Sequence, residues 1–422
     1  MSLMPSVDYE SHVRRYSLIL IGMLVLWLAC ELAAFLGIPH CLSPSLMLGQ
    51  GAAAYNRLVW GVFFIYYVWS GQPLRAVLGT AAVGLALTLV FAVLLRPPLI
   101  MRKMTWETPV CLGFGLCGFV QLIVLSIRNT GAERSRYLTF LLPGCVLSIM
   151  IAYVVFFHFP LISWLPTTFD ALLYAADDAF GFQPSFLMGQ LFLAVPALAA
   201  LANFFYAAIG YPPLMLIALQ LRDTRPWKQD ILHPMIVVSL LSVAMYCLFP
   251  AVGPVWVFPD KYPDHPPPAD QVLAETLSIP KVPRNCMPSL HTTYVLLYWW
   301  QARSYRLWIR ALTGAFLLFT VLNTLGEGLH YAVDLVVAFP FAMALQALCL
   351  PAPPPVRARK WLTVLGGALL TAGWMLVLRH GLELLMLSRI LTWAAAFLTV
   401  SGSYLAERAL YLHVRPFNGQ GF

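Results

Sequence analysis

Charge is what this sequence has least of. Asp, Glu, Lys and Arg make up 10% of its 422 residues, against about 25% in soluble domains. A soluble enzyme and a nucleic-acid binder are excluded on that ground. The eight cysteines are scattered, mostly within apolar runs, and never form a CxxC pair. That argues against a disulfide framework and leaves them as small buried hydrophobes. There is no GxGxxG, no P-loop and no His/Cys spacing suited to a tight metal site, so no metal and no obligatory cofactor is expected. No internal repeat or low-complexity segment interrupts the chain.

Apolar length is what it has in abundance. Hydrophobic residues reach 60%, mean hydropathy is +0.77, and apolar runs long enough to cross a bilayer recur through most of the chain. The expected class is an all-α, polytopic integral membrane protein. Runs near 16–37, 58–70, 74–95, 108–127, 137–157, 187–221, 232–250, 289–302, 307–324, 330–350, 361–379 and 387–406 predict 12 or 13 spans. The 187–221 run is too long for one simple span. Gly210, Tyr211, Pro212 and Pro213 predict its break, since paired prolines remove backbone donors. Arg14 and Arg15 precede an apolar run longer than a signal-peptide core, which reads as a retained helix.

Two polar interruptions divide the chain. Phe169, Leu172, Leu173, Ala176 and Phe180 alternate with Asp170, Asp177 and Asp178, a spacing that predicts a short amphipathic helix lying in the membrane interface. Residues 251–288 are proline-rich and carry Asp260, Asp264, Asp270 and Glu275, too polar to cross. The expected organisation is an N-terminal helical module over 1–160, an interfacial segment over 161–186, a chemical core over 187–350, and two further spans with a tail over 351–422. Short connections at 222–230, 303–310 and 351–360 each carry three basic residues. By the positive-inside rule they face the cytoplasm, which puts 251–288 and 325–330 on the extracytoplasmic face. The overall excess of 26 basic over 18 acidic residues suits such loops and anionic headgroups rather than nucleic acid.

Two histidine signals carry the chemistry. Arg284-Asn285-Cys286-Met287-Pro288-Ser289-Leu290-His291 ends the polar loop at the start of a span. Gly326-Glu327-Gly328-Leu329-His330-Tyr331-Ala332-Val333-Asp334 begins another. The separation allows one helix away, a basic turn and one helix back, which returns both imidazoles to one face. On a helix His330 and Asp334 stand one turn apart on one side. A carboxylate on one ring nitrogen fixes the tautomer and leaves the other as nucleophile, while a second histidine can protonate a leaving oxygen. Two helix N-termini at one face can hold a phosphate. An intramembrane aspartate is itself a functional candidate. Glu327 reads as an exposed turn carboxylate or a second acid, Tyr331 as packing or an interfacial anchor, and Trp299 with Trp300 as a lipid-facing or interfacial pair.

Met287-Pro288-Ser289-Leu290-His291 followed by His330-Tyr331-Ala332-Val333-Asp334-Leu335 resembles the type 2 phosphatidic acid phosphatase superfamily. Within it, the Pro-Ser-Leu-His and His-Tyr-x-x-Asp forms, with Leu248-Phe249-Pro250-Ala251-Val252-Gly253-Pro254, resemble the branch related to inositol phosphorylceramide synthase. The resemblance covers about 187–350 and implies a six-helix core with extra N- and C-terminal transmembrane helices. It implies His330 as nucleophile, Asp334 as its orienting carboxylate, His291 as general acid and then base, and Ser289 as a donor to phosphate. Two departures matter. Asn323-Thr324 stands where phosphatases of this superfamily have Ser-Arg, and no clear Lys-x6-Arg-Pro motif precedes His291. Phosphate charge is then expected to fall to Arg284, with its bidentate guanidinium, and to Lys281.

The implied function is a membrane phosphotransferase moving a phosphoryl or phospho-headgroup from a phospholipid donor to a lipid hydroxyl acceptor, through a phosphohistidine-type intermediate. Its partners are membrane lipids, and no nucleic acid. A lipid phosphate or polyprenyl diphosphate phosphatase is the close alternative, with water replacing the alcohol, and a lipid transporter is a remote one. The expected setting is an integral membrane protein, most simply of a bacterial inner membrane, with its site on the extracytoplasmic (periplasmic or lumenal) face.

Overall fold

The computed structural model describes residues 9–37, 53–94, 107–222, 230–275 and 277–414. All regular structure among them is helical. In chain order the helices are α1 (Tyr9–Phe35), α2 (Ala53–Trp69), α3 (Leu74–Leu94), α4 (Glu107–Arg128), α5 (Gly131–Trp164), α6 (Asp170–Asp178), α7 (Pro184–Ala194), α8 (Pro196–Ala207) and α9 (Tyr211–Arg222). There follow α10 (Leu232–Leu248), α11 (Pro254–Val257), α12 (Ala269–Ala274), α13 (Leu290–Gln301), α14 (Leu307–Gly326), α15 (Ala332–Cys349), α16 (Pro354–His380), α17 (Leu382–Met386) and α18 (Arg389–Val414). The all-α, polytopic class is as expected.

Six of the described helices are long and apolar enough to cross a membrane, or seven if the bent pair α7–α8 counts as one span. That is fewer than the 12 or 13 expected spans. The difference lies partly in length: α13 has 12 residues, about 18 Å of helix, against a hydrocarbon core of about 30 Å. An apolar run marks burial as well as crossing. The break expected at 210–213 separates α8 from α9, and another, with a bend of 115°, falls between α7 and α8. Pro196 causes it, having no N–H to continue the ladder of α7.

The chain divides into two compact units: residues 1–157 with 210–227, and 158–209 with 228–422. Helix α9, inside the stretch expected as the chemical core, thus belongs to the first unit, where the Tyr66 hydroxyl donates to the Leu214 carbonyl at 3.4 Å. In that unit α2 and α3 both pack on α4. Small residues permit the approach: a Cβ on Gly115 would stand 2.1 Å from the Trp60 carbonyl oxygen. Most of the basic connection at 222–230 lies outside the described residues.

The second unit centres on α15, which contacts α10, α13, α16 and α18 and is buried along most of its length. The segment expected to lie in the interface forms α6, but not as a helix with one wet face. Asp170, Leu173, Tyr174, Ala175, Ala176 and Asp177 are all buried, so two of its aspartates point into protein. Trp300 is likewise buried rather than lipid-facing, and Trp299 stacks on Tyr404 of α18. The C-terminal helices are tied to this unit. Trp374 Nε1 donates to Thr399 Oγ1 at 2.9 Å, and Arg303, after α13, pairs with the buried Glu407 of α18.

Helix α16 meets α15 along Thr363, Gly367 and Thr371, small residues one turn apart. A Cβ on Gly367 would stand 2.5 Å from the Pro340 carbonyl oxygen and 2.9 Å from Ala344 Cβ, whereas nothing lies within 4 Å of one on Gly366. Gly367→Leu should therefore lower stability by about 1–3 kcal/mol or more through overpacking, and Gly366→Leu should not. Paired thermal melts of the detergent-solubilised protein check this.

Candidate active site

The site forms where the starts of α13 and α15 meet the last turn of α14. Ser289 is the N-cap of α13, its Oγ accepting from Thr292 N at 3.3 Å. Beyond α14 the chain turns through Glu327, Gly328 and Leu329. The Thr324 carbonyl accepts from both Leu329 N (3.0 Å) and His330 N (3.1 Å), and Ser185 Oγ donates to the His330 carbonyl at 2.7 Å. The backbone of His330 is thus fixed on both sides. Ser289 N reaches the Asp334 carbonyl at 3.4 Å, joining the two helix starts.

Asp334 is fully buried and its Oδ2 is shared by three groups. It lies 3.1 Å from His330 Nδ1 and accepts from Tyr331 N at 2.9 Å and from the Cys286 thiol at 2.6 Å. An acceptor at Nδ1 puts the ring proton there, so the lone pair of His330 is on Nε2. Ser289 Oγ stands 3.5 Å from that nitrogen. The His291 and His330 rings are 6.1 Å apart. Tyr206 of α8 covers His291, its hydroxyl 3.1 Å from Nε2 and 3.4 Å from Nδ1.

A second layer comes from α6. Asp177 accepts from Ala332 N (2.8 Å) and Val333 N (3.0 Å), the first amides of α15. Asp170 accepts from Val252 N, Gly253 N and the Tyr331 hydroxyl. With Tyr331 N held by Asp334, the start of α15 is already occupied by carboxylates. A phosphate expected between two helix N-termini finds open first-turn amides only at α13.

Burial sets the protonation of the groups outside the membrane-spanning helices. It holds the His330 imidazole below its ordinary value, at about 4, so the ring is neutral at neutral pH. It pushes the Cys286 thiol well up, so Cys286 donates as S–H. Burial also raises Asp177 to about 8, against the opposing pull of its two amide donors.

Of the expected site residues, Ser289, His291, His330 and Asp334 come together. Arg284 does not join them: it is buried, and its Nε and Nη1 donate to the carbonyls of Leu165, Pro280 and Val282. A guanidinium fits three carbonyls as well as a phosphate, and here it staples the polar loop. Lys281 is exposed on that loop. Glu327 is exposed in its turn, while Tyr331 is buried and bonded rather than interfacial. Cys286, Tyr206, Asp170 and Asp177 were not singled out for the site by sequence; all but Cys286 come from elements distant in the chain. Cys286, His330 and Asp334 each offer one donor atom within 4.8 Å of the others, a set whose chemistry suits a metal ion. In the structure hydrogen bonds join these same atoms.

Two measurements test this geometry. Removing the Asp177 carboxylate by Asp177→Ala leaves two buried amides unpaired, which should cost about 1–3 kcal/mol and lower the melting temperature; a melt indistinguishable from wild type would contradict the cap. Because a neutral His330 is the reactive form, lipid turnover should persist below the ordinary imidazole value near 6.5 and fall only as pH approaches about 4. An acid limb near 6.5 in a pH–rate profile would refute the burial argument.

No curated protein and no solved structure matches the chain. A family match rests on the segment that contains the two histidine signals and nearly all of α6 and α15: residues 171–348 match the model of the PAP2 superfamily, whose members are typically phosphatases or phosphotransferases.

Proposed function

We propose that the protein is a membrane lipid phosphotransferase of the inositol phosphorylceramide synthase-like kind, transferring a phospho-headgroup from a phospholipid to a lipid alcohol. The observation that carries this is the convergence of a neutral, Asp334-bonded His330 with Ser289 and His291. His330 Nε2 attacks phosphorus and the bond to the diacylglycerol oxygen breaks, while His291, entering the step as an imidazolium, gives that oxygen its proton and is left neutral. His291 then takes the proton of the acceptor hydroxyl, whose oxygen attacks phosphorus and releases His330. Ser289 Oγ and the first amides of α13 donate to the non-bridging oxygens.

The charge of the neighbourhood favours a diester donor. Among the described residues no positively charged side chain is bonded around His330 or the start of α15: the groups there are Asp334, Asp170, Asp177, Tyr331 and the Cys286 thiol. Arg284 is engaged by backbone carbonyls. A phosphodiester brings one negative charge and a phosphate monoester up to two, so this setting suits the diester better. A phosphatase would run on the same residues with water as acceptor.

Orientation follows from the two ends of the second unit. Helices α13 and α15 start at the histidines, and the turns at their far ends expose Arg306, Arg310, Arg357 and Arg359. The site end exposes Asp260, Asp264, Asp270 and Glu327 beside a more scattered set of basic residues, Lys261, Lys281, Arg379 and Arg389. The positive-inside rule supports an extracytoplasmic site.

Purified protein in mixed micelles with a phospholipid panel, with and without ceramide or diacylglycerol, tests the reading. New phospholipid should form with little free phosphate. His330→Ala should lose about a thousandfold or more in rate, and His291→Gln about a hundredfold or more. Free phosphate as the sole product would make the enzyme a phosphatase. Turnover surviving in His330→Ala would overturn the mechanism.

A further inference from the structure

The buried face of α14 carries polar groups that the mechanism above does not use. Thr313, Phe316, Thr320, Asn323 and Thr324 form that face. The hydroxyls of Thr313 and Thr324 donate to carbonyls of their own helix. Thr320 Oγ1 and Asn323 Oδ1 do not: both are fully buried and neither has a hydrogen-bond partner among the described residues. A buried amide oxygen left unpaired is costly, so its retention calls for a reason.

Position suggests the reason. Asn323 immediately precedes Thr324, whose carbonyl holds the His330 amide at 3.1 Å. Helices α13 and α14 form an antiparallel hairpin in which a Cβ on Gly314 would stand 3.7 Å from Trp299. Counting away from that contact along both helices brings Thr320 level with Thr293 and Asn323 level with Leu290, beside His291. Asn323 is thus a neutral hydrogen-bonding group at the height of the two histidines, with Thr320 about one turn deeper.

The chemistry then narrows. A carbonyl oxygen accepts only, and a phosphodiester has no proton to give it. A hydroxyl satisfies either end of an amide, because it both donates and accepts. We infer that Asn323, supported by Thr320, is a recognition subsite for a substrate hydroxyl next to His330. The inference rests on the phosphotransfer reading and adds a specificity-determining residue to it. The hydroxyl can belong to the acceptor alcohol or to a polyol headgroup of the donor.

Asn323→Leu, close in size and apolar, is compared with wild type in two arms. One varies ceramide or diacylglycerol at fixed donor. The other compares phosphatidylinositol and phosphatidylglycerol with phosphatidylethanolamine as donors. A KM for the acceptor raised about tenfold or more, with a smaller change in kcat, identifies an acceptor subsite. A loss of about tenfold or more in preference for the hydroxylated donors identifies a headgroup subsite. Equal loss on every substrate, or no change on any, overturns the inference. Should Asn323→Leu fail to fold, Thr320→Val, which keeps shape and removes the hydroxyl, is judged by the same criteria. Wild-type protein without His330-dependent turnover on any donor sinks the phosphotransfer reading itself, and this inference with it.

Discussion

One carboxylate oxygen organises the second unit. Asp334 Oδ2 receives the His330 ring, the Tyr331 amide and the Cys286 thiol. It therefore orients the reactive imidazole, starts α15 and pins the end of the polar loop at once. Three donors on one oxygen offset the burial of this carboxyl, whose Oδ1 has no hydrogen-bond partner among the described residues. Those donors come from two places in the chain, the 330–331 turn and Cys286, so the helix start, the loop end and the histidine have to be in register together. The protonated Cys286 matters here: a thiol bridges the loop to Asp334 without adding charge.

The same device recurs one layer out. Asp177 takes the next two amides of α15, and Asp170 ties Tyr331 to the loop after α10. Helix α6 acts as a carboxylate clamp on the segment that carries His330. At the other end of α13, Arg303 pairs with Glu407, which anchors the C-terminal helices to the helix that begins at His291. Small residues let α16 lie close on α15. Where lipid supplies no hydrophobic drive between helices, such close packing and a few buried polar bonds hold the bundle together.

Local spacing made the central group legible in the sequence. Pro-Ser-x-His and His-x-x-x-Asp are short, and the basic turns between their helices fix the faces, so Ser289, His291, His330 and Asp334 were readable without coordinates. The clamp was not. Asp170 and Asp177 lie 82 to 161 positions from the amides and hydroxyl they bond, and their alternation with apolar residues looks the same on a surface helix as on a buried one. The carbonyl partners of Arg284 were not legible in the sequence, because a guanidinium's geometry suits phosphate and backbone carbonyls alike. The bend at Pro196 was overshadowed by the stronger Gly-Tyr-Pro-Pro signal fifteen residues later. Apolar runs do not by themselves separate spans from buried helices, since burial against protein and exposure to lipid select the same side chains.

The central claim is that His330 carries the transferred phospho-group on Nε2. The most direct test is rapid mixing of the His291→Gln variant, impaired in handing the proton on, with a phospholipid donor, followed by alkaline quench and peptide mass spectrometry. The account predicts an acid-labile adduct on the peptide containing His330, absent when Asp334→Ala or His330→Ala is added. An adduct on any other residue, or transfer that proceeds at the wild-type rate without His330, would contradict it.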